Sequence, residues 1–437
     1  MQLQFEQGKY KQVADSFERS SQEFSPEARS QFAVLAGRAQ RQMGNHREAI
    51  ELFNSVTAAA PNSVFAREAA WERLAAMYQL DDPNLIGEID AYLTNNPESQ
   101  KRDQVQLMKA EVLYKKQDYA AAAPLYEALT KSRQLSGNMK AEALTKLGWC
   151  YMQTRELERA VRAYSELIDG YPGYKSLPLA LAQRGNAYLR LNNHSSALKD
   201  FDRVVQSLPK AKEREFCLVQ KALLQGKMND GAGMAETFGR LLADYPKTEA
   251  ADEANWWIGV ERFDAKDYKA SVAPLEKARA LNKEEYFERA SQRLMQAHYQ
   301  MEDLPGVGAE IETYLAGGGK NLSVDLLRWV GLAFHERAVA AATADQREAA
   351  VENYEAASKY LGMLSNRGEA KPEDTFRLGK TLLFLRQFAK AAEVLEKYLS
   401  TTTEPLLRAT ALNEIAQARL GNGELDAAQK SVDEGLK

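Results

Sequence analysis

Apolar residues recur at i, i+3, i+4 and i+7 in stretches of roughly fifteen residues, the signature of a helix with one buried face. The stretches come in pairs, parted by short polar turns such as Thr154-Arg155-Glu156, Asn192-Asn193 and Gly421-Asn422-Gly423. Each pair predicts a helix–turn–helix. The pairs repeat: Leu144, Gly148, Tyr151, Leu157, Ala160, Tyr164, Leu167 and Pro172 recur 37 residues later as Leu181, Gly185, Tyr188, His194, Ala197, Phe201, Val204 and Pro209. Weaker copies run to both ends, and counting them gives about twelve repeats. The first is a fragment around Tyr10, Val13 and Phe17 that lacks most of its first helix.

The conserved offsets have a physical reading. A small residue in the first helix (Gly37, Gly148, Gly185, Gly259, Gly379) and an alanine early in the second (Ala49, Ala160, Ala197, Ala391, Ala428) sit where two antiparallel helices must approach closely. Glycine costs about 1 kcal/mol of helix propensity relative to alanine, so close packing is the expected compensation. The aromatic of the second helix (Phe53, Tyr126, Tyr164, Phe201, Phe238) is expected to fill the seam against the next repeat. Prolines 61, 97, 172, 209 and 246 stop the second helix. Pro124 and Pro274 fall inside second helices and predict a kink there, or a helix start nearer the proline.

This series of small residue, alanine, aromatic and proline resembles the tetratricopeptide repeat over essentially the whole chain. The usual first-helix tryptophan is replaced by Leu144, Leu181 or Leu218, and the spacing is mostly 36 to 37 residues. The resemblance implies an all-α, right-handed superhelical solenoid. Residues 1–316 would form one run of repeats, and 320–437 a continuation with a longer irregular repeat at 322–364. Gly317-Gly318-Gly319 is read as a flexible connector between them. The longer period, with linkers such as Asp169-Gly170-Tyr171-Pro172, is similar to bacterial cell-envelope members of the family, which favours the periplasm or envelope over the cytoplasm.

In that family the first helices line a concave face that binds protein partners as extended or helical peptide segments. The inward register implied here carries Trp149 and Met152; Asn186 and Leu189; Trp256, Val260 and Phe263; Gln292, Gln296 and Tyr299; Arg328, Leu332 and His335. Trp149, Met152, Asn186, Leu189, Trp256, Phe263, Tyr299, Arg262 and Arg328 are the candidate peptide-binding residues. Exposed aromatics and arginines supply most binding energy at such surfaces. The same rings could instead pack sideways between consecutive first helices, and both readings stand at this point.

Composition narrows the function. Acidic residues (61) nearly cancel basic ones (57), leaving a net charge of −4 and no general attraction for nucleic acid. No apolar run approaches the ~18 residues of a membrane span. The two cysteines, Cys150 and Cys217, suit neither a disulfide framework nor a zinc knuckle. Short catalytic motifs fail on inspection. His335-Glu336 lacks its second histidine, since Val339 stands there. Gly318-Gly319-Lys320 lacks the opening glycine of a phosphate loop, since Tyr314 stands there. No cofactor, metal site or catalytic group is expected. The leading expectation is a non-catalytic interaction scaffold. The alternatives are the repeat region of a larger enzyme or regulator, and self-association through an uncapped end.

Overall fold

The computed structural model describes residues 1–436, and among these it is entirely helical. Twenty-four helices form twelve consecutive hairpins, as the repeat count predicts. The chain divides into two compact parts, Met1–Leu224 and Gln225 onward. The first holds α1 (Gln2–Glu6) and α2 (Tyr10–Ser20), α3 (Pro26–Gln42) and α4 (His46–Ala59), α5 (Val64–Gln79) and α6 (Leu85–Asn95). It continues with α7 (Arg102–Lys115) and α8 (Tyr119–Lys131), α9 (Gly137–Gln153) and α10 (Leu157–Gly170), α11 (Leu177–Arg190) and α12 (His194–Ser207). The division falls in α13 (Arg214–Lys227). The second part has α14 (Gly231–Asp244), α15 (Ala251–Asp264) and α16 (Tyr268–Leu281), α17 (Lys283–Gln300) and α18 (Leu304–Ala316). It ends with α19 (Val324–Thr343) and α20 (Arg347–Asn366), α21 (Pro372–Phe384) and α22 (Phe388–Thr401), α23 (Pro405–Gly421) and α24 (Leu425–Gly435).

One local device closes each hairpin. The second residue past the first helix adopts a left-handed conformation, which redirects the chain and lets its own amide and the next one satisfy two of the helix's last carbonyls. Lys266 has φ +63°; its N–H donates to the Phe263 carbonyl at 2.9 Å, and the Asp267 N–H donates to the Arg262 carbonyl at 2.9 Å. Asp267 then caps the second helix, its carboxylate accepting from the Ala270 N–H at 3.2 Å. Asn229-Asp230 and Glu302-Asp303 repeat the arrangement. One residue ends a helix and its neighbour starts the next.

Close approach then sets the packing. A β-carbon on Gly148 would lie 2.5 Å from the ring of Tyr164, and one on Gly185 would lie 2.6 Å from Phe201. The second-helix aromatic therefore fills the space above the glycine of its own repeat and also reaches the next one, as expected: Phe201 meets Phe216 of α13 edge-on at 6.4 Å, and Phe53 packs in one cluster with Ala69 and Ala76 of α5. Phe53, Tyr164, Phe201 and Phe238 are at most 1% exposed, so each contributes about 1.5–3 kcal/mol of apolar burial. The terminating prolines stand two residues beyond α4, α6, α10, α12 and α14, as expected. Helices α8 and α16 run through Pro124 and Pro274 without starting again at the ring, because each helix begins several residues earlier at an aspartate cap.

The run at 317–319 is a helix ending, which corrects its reading as a flexible connector. Gly318 has φ +89°, and the Gly318 and Gly319 amides return to the carbonyls of Leu315 and Tyr314 at 3.0 and 2.9 Å. The flanking glycines lie against rings, Gly317 against Phe287 and Gly319 against Tyr314. The long repeat at 322–364 is likewise regular: α19 and α20 are 20 residues each, against 14 in α15 and α16, and Gly331 meets Leu361 at the usual close approach.

Candidate partner-binding face

The first helices of successive repeats position the sequence-derived candidates. In the first part, Trp149 on α9 and Asn186 and Leu189 on α11 are half-buried and retain accessible surface. Met152 does not: it is 4% exposed. Three residues after Trp149 it shares that side chain's face of α9, so the helix register alone does not separate the buried residue from the accessible one.

The second part decides between packing and groove residue by residue. Trp256 on α15 is 5% exposed, stacked on Tyr286 of α17 at 5.3 Å between ring centroids, with the Arg289 guanidinium 4.4 Å from the indole. It is a packing residue and is withdrawn as a partner contact. The same burial, with Asp252 and Glu253 nearby, pushes the Tyr286 hydroxyl up to about 12. Arg328 on α19 is also fully engaged. Its guanidinium reaches Asp374 at 2.9 Å, Asp325 at 3.3 Å and the Glu369 carbonyl at 3.0 Å, tying α19 to α21.

Three candidates remain accessible there. Phe263 on α15 is half-buried beneath Arg293 of α17, whose guanidinium lies 4.6 Å from the ring. Arg262 is exposed, its nearest carboxylate being Asp267 at 3.9 Å. Tyr299 on α17 is 38% exposed and meets Trp329 of α19 edge-on at 4.5 Å. Beside Tyr299 lies a groove of about 560 Å³ between α17 and the chain entering α19. Met295 and Leu322 provide apolar floor, both nearly fully buried, and Gln292 and Gln296 stand exposed along one wall.

Gln292, Gln296 and Tyr299 occupy the inward register of one helix, so part of this groove was visible as a pattern of uncharged polar residues at i and i+4. Asn321, Leu322, Asp325 and Leu326 complete it and were missed, because they lie between the glycine run and the inward register of α19 that begins at Arg328. A larger hollow of about 960 Å³, between the ends of α2, α3, α4 and α5, includes Phe17, Val56, Val64 and Phe65. It is formed by helix termini and contains none of the inward-register candidates.

Reactive groups are few and buried. Burial pushes the Cys150 and Cys217 thiols up to about 12, so neither forms a thiolate readily. His335 packs between α19 and α21, its Nδ1 2.9 Å from the Thr381 hydroxyl and its ring edge-on to Tyr354. Among the described residues no cluster of three His, Cys, Asp or Glu is placed to hold a metal ion, and no helix is long and apolar enough to cross a membrane.

Models of the tetratricopeptide repeat match residues 34–63, 107–175 and 376–434. These stretches run from within α3 through α4, from within α7 through α10 and from within α21 into α24, and they support the repeat family read from the residue offsets. No curated protein matches the chain in sequence. Among solved structures it is similar to the C-terminal part of a TPR repeat-containing protein from Cytophaga hutchinsonii, at 18% identity over 60% of this chain and 99% of that one, TM-score 0.46. A tetratricopeptide repeat protein from Parabacteroides merdae matches at 16% identity over 64% of this chain and 98% of that one, TM-score 0.36. YrrB, described as a TPR protein with an unusual peptide-binding site, matches at 16% identity over 45% and 94%, TM-score 0.37. At these scores the likenesses add nothing to what the hairpins themselves show.

Proposed function

We propose that this chain is a non-catalytic scaffold that binds partner proteins through extended or helical peptide segments laid along its first helices. The observation that carries the proposal is the groove between α17 and α19, where a partly exposed tyrosine, an apolar floor and uncharged hydrogen-bonding side chains meet on a rigid support. A preformed surface of this kind binds without the ordering cost that a flexible one incurs. Phe263, Arg262 and Tyr299 supply contacts in the second part, and Trp149, Asn186 and Leu189 in the first.

Panning a random peptide display library over the full chain tests this. The Phe263→Ala/Tyr299→Ala double variant should bind the selected peptides at least about tenfold more weakly, with unchanged helicity. Val64→Ser, on an exposed residue of the first part, should bind them as the parent does. Failure to select any peptide, or equal binding by the double variant, rejects the reading.

We also assign the protein to the bacterial envelope, in its assembly or maintenance, on the strength of the 36–37-residue period and its linkers. Cell fractionation that recovers it only from cytosol removes that assignment. Leu406, Leu420, Leu425 and Leu436 are all more than half exposed on α23, α24 and the residue after it, which favours self-association as a second activity. A monomer at high concentration in sedimentation equilibrium would exclude it.

A further inference from the structure

The geometry points to a basic side chain, arginine or lysine, as the residue of the partner peptide that the groove between α17 and α19 selects; this rests on the peptide-binding reading above. The argument starts from Glu288, one turn before Gln292. Its Oε1 accepts from the Tyr314 hydroxyl at 2.6 Å, from Gln292 Nε2 at 2.9 Å and from Asn321 Nδ2 at 3.4 Å. A carboxylate only accepts hydrogen bonds, so it fixes which way both carboxamides face. Each amino group donates one N–H to Glu288, which turns the carbonyl oxygen on its other side toward the groove.

Asn321 is held further by its backbone N–H, which donates to the Tyr314 hydroxyl at 3.0 Å. Tyr314 itself is fully buried, so the carboxamides are oriented from below by a packed side chain. Asp325, its side chain 95% exposed, adds a carboxylate at the rim. Arg328, the nearby cation on α19, already faces Asp325 and Asp374 and adds no free positive charge. The wall therefore carries two oriented carbonyl acceptors with negative charge behind and beside them.

Such a wall fits a donor-rich cation. Charge-assisted hydrogen bonds to a guanidinium or ammonium are roughly twice as strong as neutral ones, and the face of Tyr299 adds a favourable surface for the same group. An acidic residue would face the two fixed carbonyls and the Asp325 carboxylate, with only the uncharged donors of Gln296, Tyr299 and Ser323 to hold it, and is selected against. Leu322 and Leu326 take the apolar residue next to the cation.

Positional-scanning pools of labelled octapeptides, each with one position fixed, measure the preference on the full chain. Pools fixed as arginine at one position should bind about tenfold more tightly than pools with uncharged citrulline there, and those with glutamate should bind least. Asp325→Asn should reduce the arginine-to-citrulline ratio about threefold. Glu288→Gln is the sharper variant: a glutamine can donate, so the neighbouring carboxamides are free to turn over and the preference for a cation should largely disappear. Equal binding of arginine and citrulline pools overturns the inference, as does a preference unchanged by both substitutions. If peptides bind this groove with no preference for a base, the inference fails and the scaffold reading stands. If none is displaced by Tyr299→Ala, both fail.

Discussion

The junction between α7 and α9 and the junction between α15 and α17 join equivalent helices of successive repeats by different chemistry. In the first, Lys146 on α9 reaches Glu111 on α7 at 2.5 Å, and Glu111 also accepts from the Tyr126 hydroxyl of α8 at 3.0 Å. One carboxylate ties three helices. In the second, Trp256 stacks on Tyr286, capped by Arg289, and Phe263 lies under Arg293. Within a hairpin the helices cross at a close approach, made in α9 and α15 by Gly148 under Tyr164 and Gly259 under Leu275. That approach leaves open what holds one first helix to the next, and that freedom is where an aromatic face can be built.

The sharpest way to break this comparison is Trp256→Ala. Removing a buried indole should cost about 3–5 kcal/mol, read as a lowered midpoint in denaturant melts of the full chain. A loss under about 1 kcal/mol would mean that the stack is ornamental. The next effect concerns acid. Burial holds His335 down to about 4, with Arg377 and Lys380 adding repulsion.

The unfolded imidazole titrates near 6.5, so between the two values the unfolded chain binds more protons. The contribution of His335 is complete above pH 6.5 and lost as pH falls toward 4, at most about 3 kcal/mol. His335→Gln, which can keep the hydrogen bond to Thr381, should flatten stability against pH in that window. An unchanged slope would contradict the assignment.

Gly148→Ala addresses what the two junctions share. The added methyl would meet the Tyr164 ring at 2.5 Å, and the expected cost is about 1–3 kcal/mol by thermal or chemical denaturation. The smallest effect is expected at the ionic junction. Lys146 and Glu111 are each about one-fifth exposed, so Lys146→Met should cost about 1 kcal/mol at low salt and less in molar salt. Comparable salt sensitivity after Trp256→Ala would erase the distinction between the junctions.

Much of the fold was legible because its rules are local. The polar turn at Thr154-Arg155-Glu156, the glycine opposite Tyr164 and the proline after α10 each act within one hairpin, so their spacing in sequence is their spacing in space. The candidate face was less legible. Trp256 and Phe263 share a helix register, yet Tyr286 and Arg289, some thirty residues on, bury one and leave the other half open. Arg328 is claimed by Asp374, 46 residues away. The triple glycine suggested looseness because composition alone does not reveal the two carbonyls its amides return to, nor the rings packed against it. Asn321 lies just past that ending, and Asp325 sits in the first turn of α19, one turn before the inward register that begins at Arg328.

Hydrogen–deuterium exchange on the full chain, with and without a selected peptide, tests the central claim most directly. The account predicts slowed exchange in residues 288–300 and 321–330, with α2–α5 unchanged. Protection confined to α2–α5, or absent from α17 and α19 at saturating peptide, would contradict it.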